Sequence, residues 1–143
     1  MTSAAVAERL GGSGVIPQEI RTDLDWIEAL EAGLPTGAAD ALMAGGGLSP
    51  DELFRLVIPR RTLAKRRATG GALTADESDR LARVARVLTA AEAVFGNPEQ
   101  ARRWMRKANR GLGGHVPLDL LMTEAGARLV EQGLGRIEYG IMA

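Results

Sequence analysis

The sequence predicts an all-α fold, and three observations carry that prediction. Only five of the 143 residues are Phe, Trp or Tyr, while Ala, Leu and Arg are plentiful. This balance suits close-packed helices better than sheets built on aromatic and β-branched faces. Capping-box patterns precede apolar runs at Ser49-Pro50-Asp51-Glu52 and Thr74-Ala75-Asp76-Glu77. Leu81, Val84, Ala85, Leu88, Ala91 and Phe95 then recur at three- and four-residue spacing, the stripe of one long helix.

Taken in order, residues 1–16 contain Gly11-Gly12-Ser13-Gly14 and little bulky apolar surface, so a loose arm is expected. Helical periodicity begins near Pro17, with Ile20, Leu24, Ile27 and Leu30 on one face and Gly33 as the stop. A short helix follows from Thr36 to Met43, closed by Gly45-Gly46-Gly47. Ser49 caps the next, Pro50 suits its first turn, and Leu53, Leu56 and Val57 form its apolar side. Pro59 interrupts the pattern and starts a basic helix from Arg60 to Thr69, stopped by Gly70-Gly71. The long helix ends at Gly96, and Asn97-Pro98-Glu99 opens one carrying Ala101, Trp104 and Met105, with Trp104 expected in the core. Gly111 to Val116 breaks that helix, Pro117 opens a short turn, and Thr123-Glu124 begins a last helix to Tyr139. Gly133 and Gly135 weaken it, at about 1 kcal/mol each relative to alanine. The expected organisation is an arm (1–16), a helix-turn-helix module (17–72) and a C-terminal helical module (73–143) packed against it.

Most catalytic classes lack their residues. Cysteine is absent, so no disulfide, thiolate nucleophile or zinc knuckle can form. The single histidine, His115, has no acid nearby at metal-ligand spacing, and Ser13, Ser49 and Ser78 lack the pattern of an activated nucleophile. Gly111-x-Gly113-Gly114 follows a helix, where a phosphate-binding fingerprint would follow a strand. No enzyme, metal or cofactor is expected. Neither a signal-peptide pattern nor eighteen successive uncharged apolar residues occurs, so the expectation is a cytoplasmic protein with no membrane contact.

Formal net charge is zero, but Arg55, Arg60, Arg61, Lys65, Arg66 and Arg67 form a run without an acid, whereas Glu19 to Glu52 is mostly acidic. Such a run is most often a solvated helix face. Here it lies on the second helix of a helix, short turn, helix pattern, the plan of a DNA-binding helix-turn-helix. Arg60, Arg61 and Thr62 stand at its N-terminus, where side chains meet base edges, and Lys65, Arg66 and Arg67 could hold phosphates. At the other end, Ile137, Tyr139, Ile141 and Met142 concentrate apolar surface in the last seven residues, where polar, frayed chain is usual. Either Ile137 and Tyr139 fold back as core, or the terminus is a docking end.

In sequence these residues resemble the Xre/MbcA/ParS-type antitoxins of RES-Xre toxin-antitoxin systems. The N-terminal half carries the likeness through Gly47-Leu48-Ser49, Glu52-Leu53, Arg61-Thr62-Leu63, Arg66-Arg67, Glu77-Ser78-Asp79-Arg80-Leu81 and Ala93-Val94-Phe95-Gly96. The C-terminal half carries it through Ala101, Trp104, Asn109, Leu112-Gly113-Gly114, Pro117-Leu118, Thr123-Glu124, Gly126 and Arg136-Ile137-Glu138-Tyr139-Gly140. Val57 and Pro59 depart from it, where the family more often has glycine and serine.

The resemblance implies a RES-domain toxin partner that attacks NAD by glycohydrolysis, phosphorolysis or ADP-ribosyl transfer. It also implies that the C-terminal module covers the toxin's NAD pocket, so NAD is the partner's substrate and no cofactor of this chain. The toxin contacts it implies are Asn109, Leu112, Leu134, Arg136, Ile137, Glu138, Tyr139, Gly140, Ile141, Met142 and Ala143. The helix-turn-helix half is expected to self-associate, as a dimer or higher, and to bind operator DNA. The rival reading is a DNA-binding transcription regulator whose C-terminal module senses a different partner.

Overall fold

The computed structural model describes residues 3–140, and their regular structure is helical apart from one isolated bridge between Asn109 and His115. The chain forms two compact units that divide between Ala85 and Arg86, inside the longest helix and beyond the Gly70-Gly71 turn.

The first unit begins with helix α1 (Ser3–Arg9) and a 3₁₀ turn at Gly12–Gly14. This corrects the expectation of a loose arm. Val6, Leu10 and Ile16 are buried, and Gly11 and Gly12 take the positive φ angles that fold the segment back on itself. Few but well-spaced apolar residues were enough to anchor it.

Helix α2 (Asp23–Ala32) also differs from its expected register. Thr22 and Asp25 form a reciprocal capping box, with the Asp25 amide donating to Thr22 Oγ1 at 3.1 Å and the Thr22 amide to Asp25 Oδ2 at 3.0 Å. The helix starts there, not near Pro17, and turns Trp26 and Ala29 into the core. Leu24 (64% exposed) and Ile27 (49%) are left facing outward, because burying the larger indole sets the rotation.

Helices α3 (Gly37–Ala44), α4 (Pro50–Leu56), α5 (Arg60–Ala68) and α6 (Ala75–Phe95) follow the predicted spans closely. The Ser49–Glu52 capping box is present in both directions. Leu34 ties the segment before α3 to the start of α6: its amide donates to the buried Ser78 Oγ at 2.8 Å, and its carbonyl accepts from the Leu73 amide at 2.8 Å. Ser78 is thus a structural acceptor. Leu42, Leu53, Leu56, Ile58, Leu63 and Leu81 complete this core.

The second unit contains the C-terminal half of α6, helix α7 (Pro98–Met105), 3₁₀ segments at Arg110–Leu112 and Pro117–Met122, and helix α8 (Glu124–Glu138). Asn97 caps α7, its Oδ1 accepting from the Glu99 and Gln100 amides, and Thr123 caps α8 by accepting from the Gly126 amide at 3.0 Å. Arg86 on α6 donates to both carboxylate oxygens of Glu131 at 3.1 Å and to Glu124 at 3.0 Å, clamping the two helices. Met105, Leu118, Leu121, Ala127 and Val130 fill the interior.

Gly126 determines how closely α8 approaches the preceding 3₁₀ segment, since a Cβ there would lie 1.9 Å from the Leu120 carbonyl oxygen. Gly135, on the same helix, faces nothing within 4 Å. Gly126→Ala should therefore cost more than about 2 kcal/mol through forced backbone displacement. Gly135→Ala should instead stabilise by about 0.5–1 kcal/mol. Chemical denaturation of the two variants checks both signs.

Candidate macromolecule-binding surfaces

The first candidate surface is α5. The turn before it is made without any positive φ: Val57 sits at φ −118° and ψ −60°, and Val57 and Ile58 are both buried. Glycine is therefore unnecessary at Val57. The Val57 carbonyl accepts from Arg80 Nε at 2.8 Å, which fastens the turn to α6, and Pro59 at φ −59° leads into α5.

The six basic-helix residues divide into two groups. Arg66 donates through Nε (3.1 Å) and Nη2 (2.9 Å) to the Glu77 carboxylate, and Arg67 pairs with Asp40. Both were expected on phosphates, yet here they brace α5 from within the unit. Arg60, Arg61 and Lys65 are exposed and Thr62 is half-buried, with the Arg60 guanidinium 5.7 Å from the centre of the Phe54 ring. Neither Arg61 nor Lys65 has an ion-pair partner among the described residues.

Glu77 is the electrostatic hub of this surface. It is buried and also completes the Thr74 capping box, its Oε1 accepting from the Thr74 amide at 2.9 Å while its own amide donates to Thr74 Oγ1 at 3.1 Å. The Arg66 guanidinium, followed by the Thr74 amide, holds its carboxyl below the usual glutamate range against the opposing effect of burial.

The second candidate surface lies on the C-terminal unit. Asn109 organises its central loop: Oδ1 accepts from the Gly111 amide at 2.8 Å, and the backbone exchanges bonds with Gly114 and His115 at 2.9 Å. The glycine stretch is a tight connection, with Gly113 and Gly114 at positive φ and His115 exposed on it. A recess of about 50 Å³ joins this loop to α8, lined by Trp104, Asn109, Gly111, Leu112, Gly133, Arg136 and Ile137. Four of the expected toxin contacts, Asn109, Leu112, Arg136 and Ile137, thus come together.

Leu112 and Leu134 are buried at 8% and 2% exposure, so they form the support of this surface, not its outer face. Glu138 and Tyr139 are exposed, Tyr139 at 78%, and Gly140 with φ +69° follows the helix end. Tyr139 does not fold back as core. Ile141, Met142 and Ala143 lie outside the described residues.

Trp104 corrects a further expectation. It is only half-buried, and Met105 beside it takes the interior position. Its ring lies 5.8 Å from that of Phe95, tilted by 50°, and both line an open cleft of about 740 Å³ rimmed by Arg103, Lys107 and Arg110.

Comparison with known proteins places both surfaces in recognised domains. Residues 25–86 match the model of the antitoxin Xre-like helix-turn-helix domain, and residues 90–140 that of the antitoxin Xre/MbcA/ParS C-terminal toxin-binding domain. A protein named antitoxin Xre from Yersinia enterocolitica is 34% identical over 119 residues, covering 82% of this chain and 80% of the relative. Another from Photorhabdus laumondii is 37% identical over 116 residues, covering 80% and 78%. A third, from Pseudomonas putida, is 42% identical over 95 residues, covering 66% and 59%. The chain belongs to the Xre/MbcA/ParS-type antitoxins.

In this antitoxin, residues that sequence reasoning passed over stand beside those it singled out. Arg103, Lys107 and Arg110 were legible as part of a second acid-free run, Arg102-Arg103 with Arg106-Lys107 and Arg110, of the same kind as the run on α5. What the run could not tell was which cations share an aromatic cleft. No helix among the described residues is long and apolar enough to cross a membrane, and no group of three His, Cys, Asp or Glu is placed to hold a metal ion.

The Glu77 ion pair has a defined pH signature. A carboxyl whose pKa is lowered on folding contributes its full stability at neutral pH, and that contribution is lost as pH falls through the ordinary glutamate range toward the lowered value. Glu77→Gln should therefore be less stable than the wild type at pH 7, with the gap narrowing as pH falls below about 4.3, the ordinary glutamate pKa. Urea denaturation of both proteins across pH 3–7 checks it.

Proposed function

We propose that this antitoxin neutralises a RES-domain, NAD-consuming toxin by covering the toxin's NAD pocket with the end of its C-terminal unit. The observation that carries the reading is Tyr139, 78% exposed immediately after α8 and inside the stretch that matches the toxin-binding model. An aromatic side chain held at the end of a supported helix loses little freedom on docking, so it can act as an anchor. Arg136, Ile137 and Glu138 flank it, and Gly140 to Ala143 would continue the contact. On this reading NAD is bound by the toxin and not by the antitoxin, which works in the cytoplasm without catalysis of its own.

The test is co-expression with the toxin encoded beside it. Tyr139→Ala combined with deletion of Gly140 to Ala143 should leave the folded antitoxin intact and release toxin activity, read as falling cellular NAD. Each buried anchor is expected to contribute more than about 2 kcal/mol to binding. Normal NAD and growth with that variant and an active toxin would rule this surface out.

A second role, binding of operator DNA by a dimer, is favoured by the exposed N-terminus of α5. Arg60, Arg61 and Thr62 would reach base edges and Lys65 a phosphate, two such helices meeting half-sites about one DNA turn apart. Because Arg66 and Arg67 are engaged within the unit, they are left out of this contact set. Lys65→Ala should reduce the salt dependence of promoter binding by about one phosphate, a slope change near 0.9 in log K against log salt. Arg66→Ala should lower the melting temperature as well as DNA binding. Promoter binding that is independent of salt, or absent with toxin present, would exclude the role.

A further inference from the structure

The cleft on the C-terminal unit is unlike the rest of the surface. Its floor is the tilted Phe95–Trp104 pair, and its rim carries Arg103, Lys107 and Arg110, all exposed. No carboxylate lines it, and these three cations have no ion-pair partner among the described residues. Like charges gathered around an aromatic floor repel one another until an anionic occupant arrives. The cleft shares Trp104, Asn109 and Gly111 with the recess that reaches Arg136 and Ile137, so it is continuous with the end of α8. All of these residues lie within the 90–140 stretch.

Its shape narrows the choice of occupant. A small anion would be poorly enclosed by so open a groove, since small-molecule sites bury most of their ligand. Successive nucleic-acid bases stack on rings that can lie parallel to them, whereas Trp104 and Phe95 are tilted by 50° to each other and make an angled floor that an aliphatic side chain fills better. A protein segment that carries both acid and apolar groups matches rim and floor together.

We propose that this cleft receives an acidic segment of the toxin, its carboxylates meeting Arg103, Lys107 and Arg110 and an apolar side chain resting on Trp104 and Phe95. The proposal rests on the toxin-binding reading above and adds an electrostatic contact to the one made by the end of α8. Rim charges of this kind chiefly raise the association rate and its salt sensitivity, while the aromatic floor slows dissociation.

The experiment uses the full chain and a catalytically inactive form of the RES-domain toxin encoded beside it. Association is followed by surface plasmon resonance at about 50 and 300 mM salt, straddling the range in which Debye screening sets in. Arg103→Glu with Lys107→Glu should slow association about tenfold or more at low salt and flatten the salt dependence. Its melting temperature should stay at the wild-type value, because neither side chain has an ion-pair partner among the described residues. Arg103→Gln with Lys107→Gln should give an intermediate rate, and charge-reversing the toxin's contacting carboxylates should restore binding to the Glu variant. Trp104 fluorescence should shift on toxin binding, with Trp104→Phe identifying it against the buried Trp26.

Wild-type rate and affinity in the Arg103→Glu, Lys107→Glu variant would overturn the proposal while leaving the α8 contact standing. Absence of toxin binding by the wild type itself would overturn both. Single-stranded oligonucleotide binding that the double reversal abolishes, with toxin binding untouched, would also overturn it and assign the cleft to nucleic acid.

Discussion

The close approach of α8 to the Pro117–Met122 segment, made possible by Gly126, is the constraint on which the C-terminal unit depends. With no side chain at this point, the Leu120 carbonyl comes within a distance that any Cβ would exclude. Thr123 fixes where the helix begins, and Ala127, Val130 and Leu134 then descend into the core in order. Arg86 secures the opposite flank through Glu131 and Glu124. A helix so located at its start carries a determined end, and that end places Arg136 and Ile137 against the Asn109 loop while Tyr139 stands in solvent.

In the N-terminal unit the same economy of charge separates structure from recognition. Arg66, Arg67 and Arg80 belong to a sequence rich in arginine, yet each is used inside the unit, on Glu77, Asp40 and the Val57 carbonyl respectively. The Glu77 carboxylate serves two ends at once, capping α6 and holding α5, so the orientation of the basic helix is tied to the start of the longest one. Arg60, Arg61 and Lys65 are left exposed on α5 without an ion-pair partner among the described residues. A charge count alone therefore overstates the cationic surface left free.

The helices were readable largely because their ends are chemically marked. Ser49 with Glu52, Thr74 with Glu77, Asn97 before Pro98, and Thr123 before Glu124 each announce a start, and each acts as a cap in the structure. Less visible was anything decided by competition in three dimensions. Thr22 and Asp25 form a capping box without the usual Glu, and the burial of Trp26 turned the Leu24–Ile27 face outward. Trp104 read as core from its apolar neighbours, whereas Met105 took the interior and left the indole at a cleft edge. The importance of Gly126 over Gly133 or Gly135 rests on one carbonyl oxygen from another segment, which no local pattern encodes. The first sixteen residues were underrated for a related reason, since three well-spaced apolar side chains suffice when a core already exists to receive them.

The proposed assignment of toxin recognition to the C-terminal unit and of other contacts to α5 makes the two surfaces separable in solution. Hydrogen–deuterium exchange of the full chain, alone and bound to the toxin, reads both at once. Toxin binding should protect the Asn109 loop and the last turns of α8 and leave the backbone of α5 exchanging as in the free protein. Protection concentrated on α5, with the end of α8 unchanged, would contradict the assignment.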